Sequence, residues 1–312
     1  MAMDTEPIAS SHAAAQGHPG PLLPVTTGGR PKTTFYQRND ALILGGGSML
    51  IVLALWEWAW QADCWHQVPE PISAAATTTA GNTFRCVPLI SPLFFSGPSA
   101  IAKQFVYGWT KGNLKADIAY SGLNFIIGLG GAVFAGVVLG VIIGWYRMAR
   151  LLMDPFLNAL YATPRIAMIP LIIIWMGVGM WSKVFIVFIS AFFPVLVNTV
   201  GGMRAIDRDL LRAARAFCAT DWQIFKTVAI PGSVPFILTG IRQGVALGLI
   251  GVVVGEMFGG SQGVGFMVAF GGQQFATDTL FVGVIIIAFS GIVLTWLAER
   301  LERRFSRWRP ER

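Results

Sequence analysis

Six long apolar stretches separated by polar intervals dominate the chain, at residues 41–60, 118–145, 166–182, 184–203, 234–255 and 279–298. Each approaches or exceeds the roughly 20 apolar residues that cross a bilayer as a helix. The short alternating segments of a membrane β-barrel are not found. The pattern predicts an all-α integral membrane protein with six transmembrane helices. Residues 1–40, rich in Ala, Ser, Gly, Pro and Thr, read as a disordered tail without the apolar core of a signal peptide. Residues 41–60 form the first span, 61–116 an outer segment, 117–298 a core, and 299–312 a basic tail.

Composition agrees with burial in lipid. Residues are 54% hydrophobic and 12% charged, where a soluble domain carries about 25% charged residues. With the N-terminus inside, 16 Lys and Arg fall on the inner side and five on the outer. That bias places both termini in the cytoplasm. The positive charge follows the span ends and does not gather on one domain, which argues against nucleic-acid binding.

Within the spans, small residues recur every fourth position at Gly128, Ala132, Gly136, Gly140 and Gly144. Span 5 repeats the device at Gly240, Gly244 and Gly248, then Gly251 and Gly255. Such stripes let another helix approach closely, either within one subunit or at a seam between subunits. Pro155, Pro164 and Pro170 predict a broken entry into the third span. In the outer segment, Pro98 to Trp109 reads as a short interfacial helix. If that side is the periplasm, Cys64 and Cys86 either pair in a disulfide or stand as two unpaired thiols.

The polar interval DRDLLRAARAFCATDWQIFKTVAIP at 207–231 has its own design. Asp207 or Asp209 caps a first helix. Thr220, with Gln223 three residues on, has the capping-box pattern for a second. Trp222, Phe225 and Val228 share a face, and Pro231 and Pro235 close the unit.

This interval resembles the cytoplasmic motif of bacterial ABC importer permeases: EAA, three residues, Gly, nine residues, Ile, one residue, Leu-Pro. Here Arg212-Ala213-Ala214 is followed by Cys218 at the Gly position, then Val228, Ile230 and Pro231. The spacing matches, while Arg212 replaces Glu and Cys218 replaces Gly. The phrases PLIIIWMGVGMWSKVFIV, FFPVLVNTVGGMRAID, ILTGIRQGVALGLIGVVVGEMFG and GVGFMV resemble the nitrate, taurine and aliphatic sulfonate branch of that family. The resemblance covers roughly residues 88–308 and implies the type I importer permease fold. It further implies two copies of this permease, two ATPase subunits that grip the cytoplasmic helices, and a periplasmic binding protein, all at the bacterial inner membrane. ATP and Mg would be held by the ATPases. The coupling residues it implies are Arg212, Ala213, Ala214, Cys218, Ala219, Thr220, Asp221, Trp222, Phe225 and Pro231.

Polar groups inside spans are the candidates for contact with solute. Arg165 either faces the pathway and attracts an anion or reaches toward lipid phosphates at the inner interface. Asn198 either lines the pathway or bonds a neighbouring helix. Glu256, at the end of span 5, belongs to an outer gate or to the interface. Residues 259–273, GGSQGVGFMVAFGGQ, read as a glycine-rich re-entrant segment. No phosphate-binding GxxxxGK[ST] motif, metal-ligand cluster or catalytic constellation is found, so the chain itself is expected to bind no cofactor or metal and to catalyse nothing. Two rivals stand beside the importer reading. A stand-alone secondary transporter or channel would need coupling-ion residues in its spans. A membrane-embedded enzyme would need catalytic groups converging at one membrane face.

Overall fold

The structure, a computed structural model, describes residues 35–61, 66–69, 84–87 and 94–305. The described residues fall into two units, divided between Ile51 and Val52. The first contains helical residues 35–51, where the Ser48 hydroxyl donates to the Gly45 carbonyl. Helix α1, Phe35–Gln61, contributes to both units. Its start at Phe35 brings the first helix six residues into the stretch expected to be a disordered tail; residues 1–34 lie outside the described residues.

The second unit begins with the end of α1 and a two-stranded antiparallel hairpin, β1 (His66–Pro69) and β2 (Phe84–Val87), in which Gln67 pairs with Cys86. Sequence periodicity had not singled out these short strands. Cys64 lies outside the described residues, as does any bond it makes to Cys86. Helix α2, Pro98–Thr110, follows. Its Ile101 is buried against Leu114 and Val282, while Phe105 and Val106 remain exposed.

Helix α3 (Leu114–Trp145), helix α6 (Met180–Arg204) and helix α9 (Ile230–Gly259) form the core. Both glycine stripes turn inward, onto adjoining faces of α6 that share Val187 and Val195. A Cβ at Gly128 would stand 2.7 Å from the Val184 carbonyl oxygen, and one at Gly140 would stand 2.6 Å from Thr199 Cβ. From α9, Gly240 abuts Asn198 and the Pro194 carbonyl, and Gly251 abuts Ser190. Of the two roles open to the stripes, packing within one subunit is the one these contacts display. Lipid tails give no hydrophobic drive between helices, so close backbone approach supplies the dispersion energy that holds α6 in place.

Among the described residues, four helices are long and apolar enough to cross a membrane: Leu114–Trp145, Met180–Arg204, Asp221–Gly259 and Thr277–Arg304. The stretch expected to span at 166–182 is not one helix. It is a 3₁₀ turn at Arg165–Met168, then the short helix α5 (Ile169–Met176), then a reversal at Gly177, whose φ is 79°. The run along α6 begins earlier, in α4 (Arg147–Ala162). Asp154 pairs with Arg204, Leu157 packs near Leu196 and Val200, Arg165 lies over Phe193, and Ile172 packs on Ile186. Residue numbers rise in α4–α5 as they fall in α6, so the two run antiparallel. The proline at 164 breaks the path, and Pro170 enters α5 in its first turn, where a missing N–H costs nothing. Helix α11, Thr277–Phe305, closes the unit. It is joined to α9 by ion pairs from Arg242 to Glu299 and Glu302, and by the Thr239 hydroxyl donating to Glu302.

Candidate functional site

Among the described residues, the candidate site residues fall in three polar places. The first is the unit between α6 and α9. Helix α7, Arg208–Ala216, is capped by Asp207, whose side chain accepts from the Asp209 amide at 2.8 Å. Thr220 opens α8, Asp221–Ile224, with the expected capping box: the Gln223 side chain accepts from the Thr220 amide at 2.8 Å, and the Thr220 hydroxyl accepts from the Gln223 amide. Cys218 sits between them at φ 55°, the left-handed conformation that favours glycine at this position. Its amide donates to Arg215 and the Ala219 amide to Ala214, so the turn is hydrogen-bonded despite the side chain.

The second helix of this unit does not end before α9. A π-helical turn at Phe225–Ala229 carries it onward, and the helix runs from Asp221 to Gly259. Pro231 lies in the first turn of α9 rather than ending α8. In the wider turn before it the Ile230 amide donates to the Phe225 carbonyl, five residues back, and the helix passes through Pro231 unbroken. A rotation of α8 is therefore joined by continuous helix to α9. Phe217 is 87% exposed and Trp222 69%, and Leu210 is exposed as well. Phe225 is turned inward, edge-on to Trp145 at 5.0 Å, and carries Trp222 stacked on its other side. Arg212, Ala213 and Asp221 are exposed; Arg212 pairs with Asp209 at 2.6 Å in solvent, an arrangement worth little energy.

The second place is the far end of α9. Glu256 is fully buried. Its Oε2 accepts from the Ser121 hydroxyl at 2.8 Å and the Gly265 amide at 2.9 Å, and Asn124 Nδ2 approaches Oε1 at 3.4 Å. Helix α10, Val264–Gln273, begins here. The Gly263 amide donates to Asp117 and the Val264 amide to the Ser121 hydroxyl, both at 2.9 Å. Three successive amides at the start of α10 are thus held by groups of α3 and α9. Lys183, 3% exposed, donates to the Tyr120 hydroxyl nearby. Asp117, Ser121 and Asn124 were not singled out from sequence, although their i, i+4, i+7 spacing marks one face of α3.

The third place lies deeper along α6. Arg165 is half-buried, its guanidinium carbon 5.5 Å from the Phe193 ring centre. Asn198 Nδ2 donates to the Pro194 carbonyl at 2.8 Å and to Gln243 Oε1 of α9 at 2.9 Å. The structure brings Asn198 together with Gln243, which sequence reasoning missed, and places Glu256 apart from both. Among the described residues, no group of three His, Cys, Asp or Glu is arranged to hold a metal ion.

Residues 136–307 match the family described as binding-protein-dependent transport system inner membrane component. The chain is 30% identical to the taurine transport system permease protein of Escherichia coli, over 82% of this chain and 94% of that protein. It is 35% identical to a putative aliphatic sulfonates transport permease of Bacillus subtilis, over 64% of this chain and 70% of that one. It is 37% identical to the riboflavin transport system permease of Chloroflexus aurantiacus, over 53% and 61%. Among solved structures, an inward-facing methionine ABC transporter shares the fold, with a TM-score of 0.56 at 16% identity, covering 65% of this chain and 99% of that chain.

Proposed function

We propose a specific role from the premise that this chain belongs to the family of binding-protein-dependent transport system inner membrane components. The family makes it the membrane permease subunit of an ABC importer, not itself an enzyme, working with an ATPase and a substrate-binding protein. Our reading is that two copies form the pathway and that each docks one ATPase, with both termini cytoplasmic. ATP and Mg are held by the ATPases. The cargo is a small organic anion of the sulfonate class, as the names of the taurine and sulfonate relatives support.

The observation that carries the reading is the capped pair α7–α8. It presents Leu210, Phe217 and Trp222 to solvent and continues as one helix into α9. A stiff lever needs capped ends, an apolar docking face and a covalent link to a span that moves. Cys218, Ala219, Thr220 and Asp221 form its turn, and Arg212, Ala213 and Ala214 lie on the arm before it. Arg165 and Asn198 belong to the pathway, and Glu256 to its outer closure.

The test is gentle purification of the full chain from its native membrane, followed by identification of what accompanies it. An ATPase in equal amount, and ATP-dependent uptake of a sulfonate when the complex and its binding protein are reconstituted, are expected. A chain that purifies alone and moves solute down an ion gradient would overturn the reading in favour of a secondary transporter.

A further inference from the structure

The amide pair Asn198–Gln243 has a fixed orientation and an unspent donor. A carbonyl only accepts, so the Pro194 carbonyl fixes the Nδ2 end of Asn198 toward the α6 backbone. The same Nδ2 donates to Gln243, so Oε1 of Gln243 faces α6 and its Nε2 faces away. Gln243 is exposed, and among the described residues nothing accepts from that Nε2. The amide lies 13 residues before Glu256, about 20 Å along the helix. An amide left in hydrocarbon without a partner is costly, so this surface of α9 is not a lipid face.

The surroundings specify what meets it. On α6, the position of Phe193 that carries Arg165 and the position of Asn198 lie 140° apart at 100° per residue. Val197 and Gly201 occupy the sector between them, and both are exposed. Arg165 on one side and Gln243 on the other therefore border an exposed strip of α6. One side contributes a cation and the other a pure hydrogen-bond donor. Arg242, next in sequence, turns to α11 and is paired there with Glu299 and Glu302. Of the carboxyl groups along α9 and α11, Glu256 is enclosed, Asp278 lies in the first turn of α11, 21 residues before Glu299, and Glu299 and Glu302 are engaged with Arg242. A second copy of this chain would bring the same groups.

We propose that Gln243 Nε2 is a contact for an oxyanion in transit along this strip of α6, which Arg165 borders on its other side. The ligand class is a small sulfonate or carboxylate, whose oxygens accept from an amide N–H and are attracted by a nearby guanidinium charge. This rests on the importer reading above and assigns to it a residue on the pathway.

The test uses the permease assembled with its ATPase. In a Gln243→Cys variant, labelling by (2-sulfonatoethyl) methanethiosulfonate is compared with labelling by its trimethylammonium counterpart. It is read by mass spectrometry of the peptide carrying residue 243, with rates corrected for reaction with free cysteine. At least about fivefold preference for the sulfonate reagent is expected, as a positive field attracts it. No labelling by either reagent means lipid or a second subunit covers the site, and a preference for the ammonium reagent means the field is wrong; either result overturns the proposal. In a second variant, Gln243→Glu, the retained oxygen still accepts from Asn198 while the donor becomes a carboxylate. Taurine uptake is expected to fall at least tenfold, or about 1.4 kcal/mol. Wild-type uptake by an assembled Gln243→Glu complex would also overturn the proposal. If the unaltered complex takes up no sulfonate at all, the cargo reading fails, while the labelling still decides the anion site.

Discussion

Gly263 stands against Glu256 so closely that no side chain fits between them: a Cβ built on Gly263 would lie 2.6 Å from Oε1. The φ of 112° at Gly263 is a conformation that other residues adopt only with strain. Both facts predict that Gly263→Ala loosens the start of α10, at a cost of roughly 2–4 kcal/mol from backbone strain and overlap together. The check is thermal unfolding of the purified protein in lipid nanodiscs. Glu256→Ala should lower the midpoint as well, because the Ser121 hydroxyl and the Gly265 amide lose their buried acceptor. Equal midpoints for wild type and both variants would mean that the knot does not hold α10.

Trp222 and Phe225 are neighbours in a stack, yet their substitution should have different effects. Trp222 is exposed and available to an ATPase, while Phe225 packs on Trp145. Trp222→Ala is expected to leave the unfolding midpoint of the isolated permease unchanged and to separate ATP hydrolysis from uptake. Phe225→Ala is expected to lower stability by about 2–4 kcal/mol, less than a full core truncation because the ring is only partly buried. Tightly coupled uptake in a Trp222→Ala complex would remove the lever assignment.

Cys218 holds a left-handed turn that glycine adopts freely. Replacing it with glycine should stabilise the permease by about 1 kcal/mol, since the strain of a Cβ at positive φ is of that size. A thermal midpoint that stays level or falls would show that contacts of the exposed thiol offset the strain.

The glycine stripe on α3 offers the plainest test of the core. Gly140→Leu would drive a side chain into Thr199 and the Leu196 carbonyl. Thr199 Cβ is fixed to the α6 backbone and the Leu196 carbonyl is part of it, so neither can give way, and the folded protein should fail to accumulate in membranes. Gly122→Leu on the same helix, with open space around its Cβ position, should accumulate normally. Equal yields would mean that α3 and α6 do not meet as described.

Much of this arrangement was legible in the residues themselves. Capping at Asp207 and Thr220 depends on local chemistry, so pattern alone located it, and the four-residue glycine period marked both faces that meet α6. The path of the third crossing was legible only in part. Pro155, Pro164 and Pro170 marked a broken entry, but hydropathy counts apolar residues and cannot see that Gly177 reverses the run. The continuity of α8 into α9 was hidden for the opposite reason, because Pro231 reads as a stop while the π-helical turn absorbs it. The knot around Glu256 and the pair Asn198–Gln243 join groups far apart in sequence, and nothing local announces such partners.

Arg165 has two available roles that its depth distinguishes. It lies level with Phe193, 11 residues from the Arg204 end of α6. That is about 16 Å of helix, farther than an arginine side chain reaches toward lipid phosphates. A cation at this depth is costly unless it serves the pathway or an internal contact. Arg165→Ala is therefore expected to reduce taurine uptake by about tenfold or more, while Arg165→Lys, which keeps the charge but loses the planar donor fork, should retain part of it. Because Arg165 also rests on Phe193, the amount of ATPase that co-purifies must be measured alongside, to separate assembly from transport. Uptake at the wild-type rate in an assembled Arg165→Ala complex would assign the residue to helix packing alone.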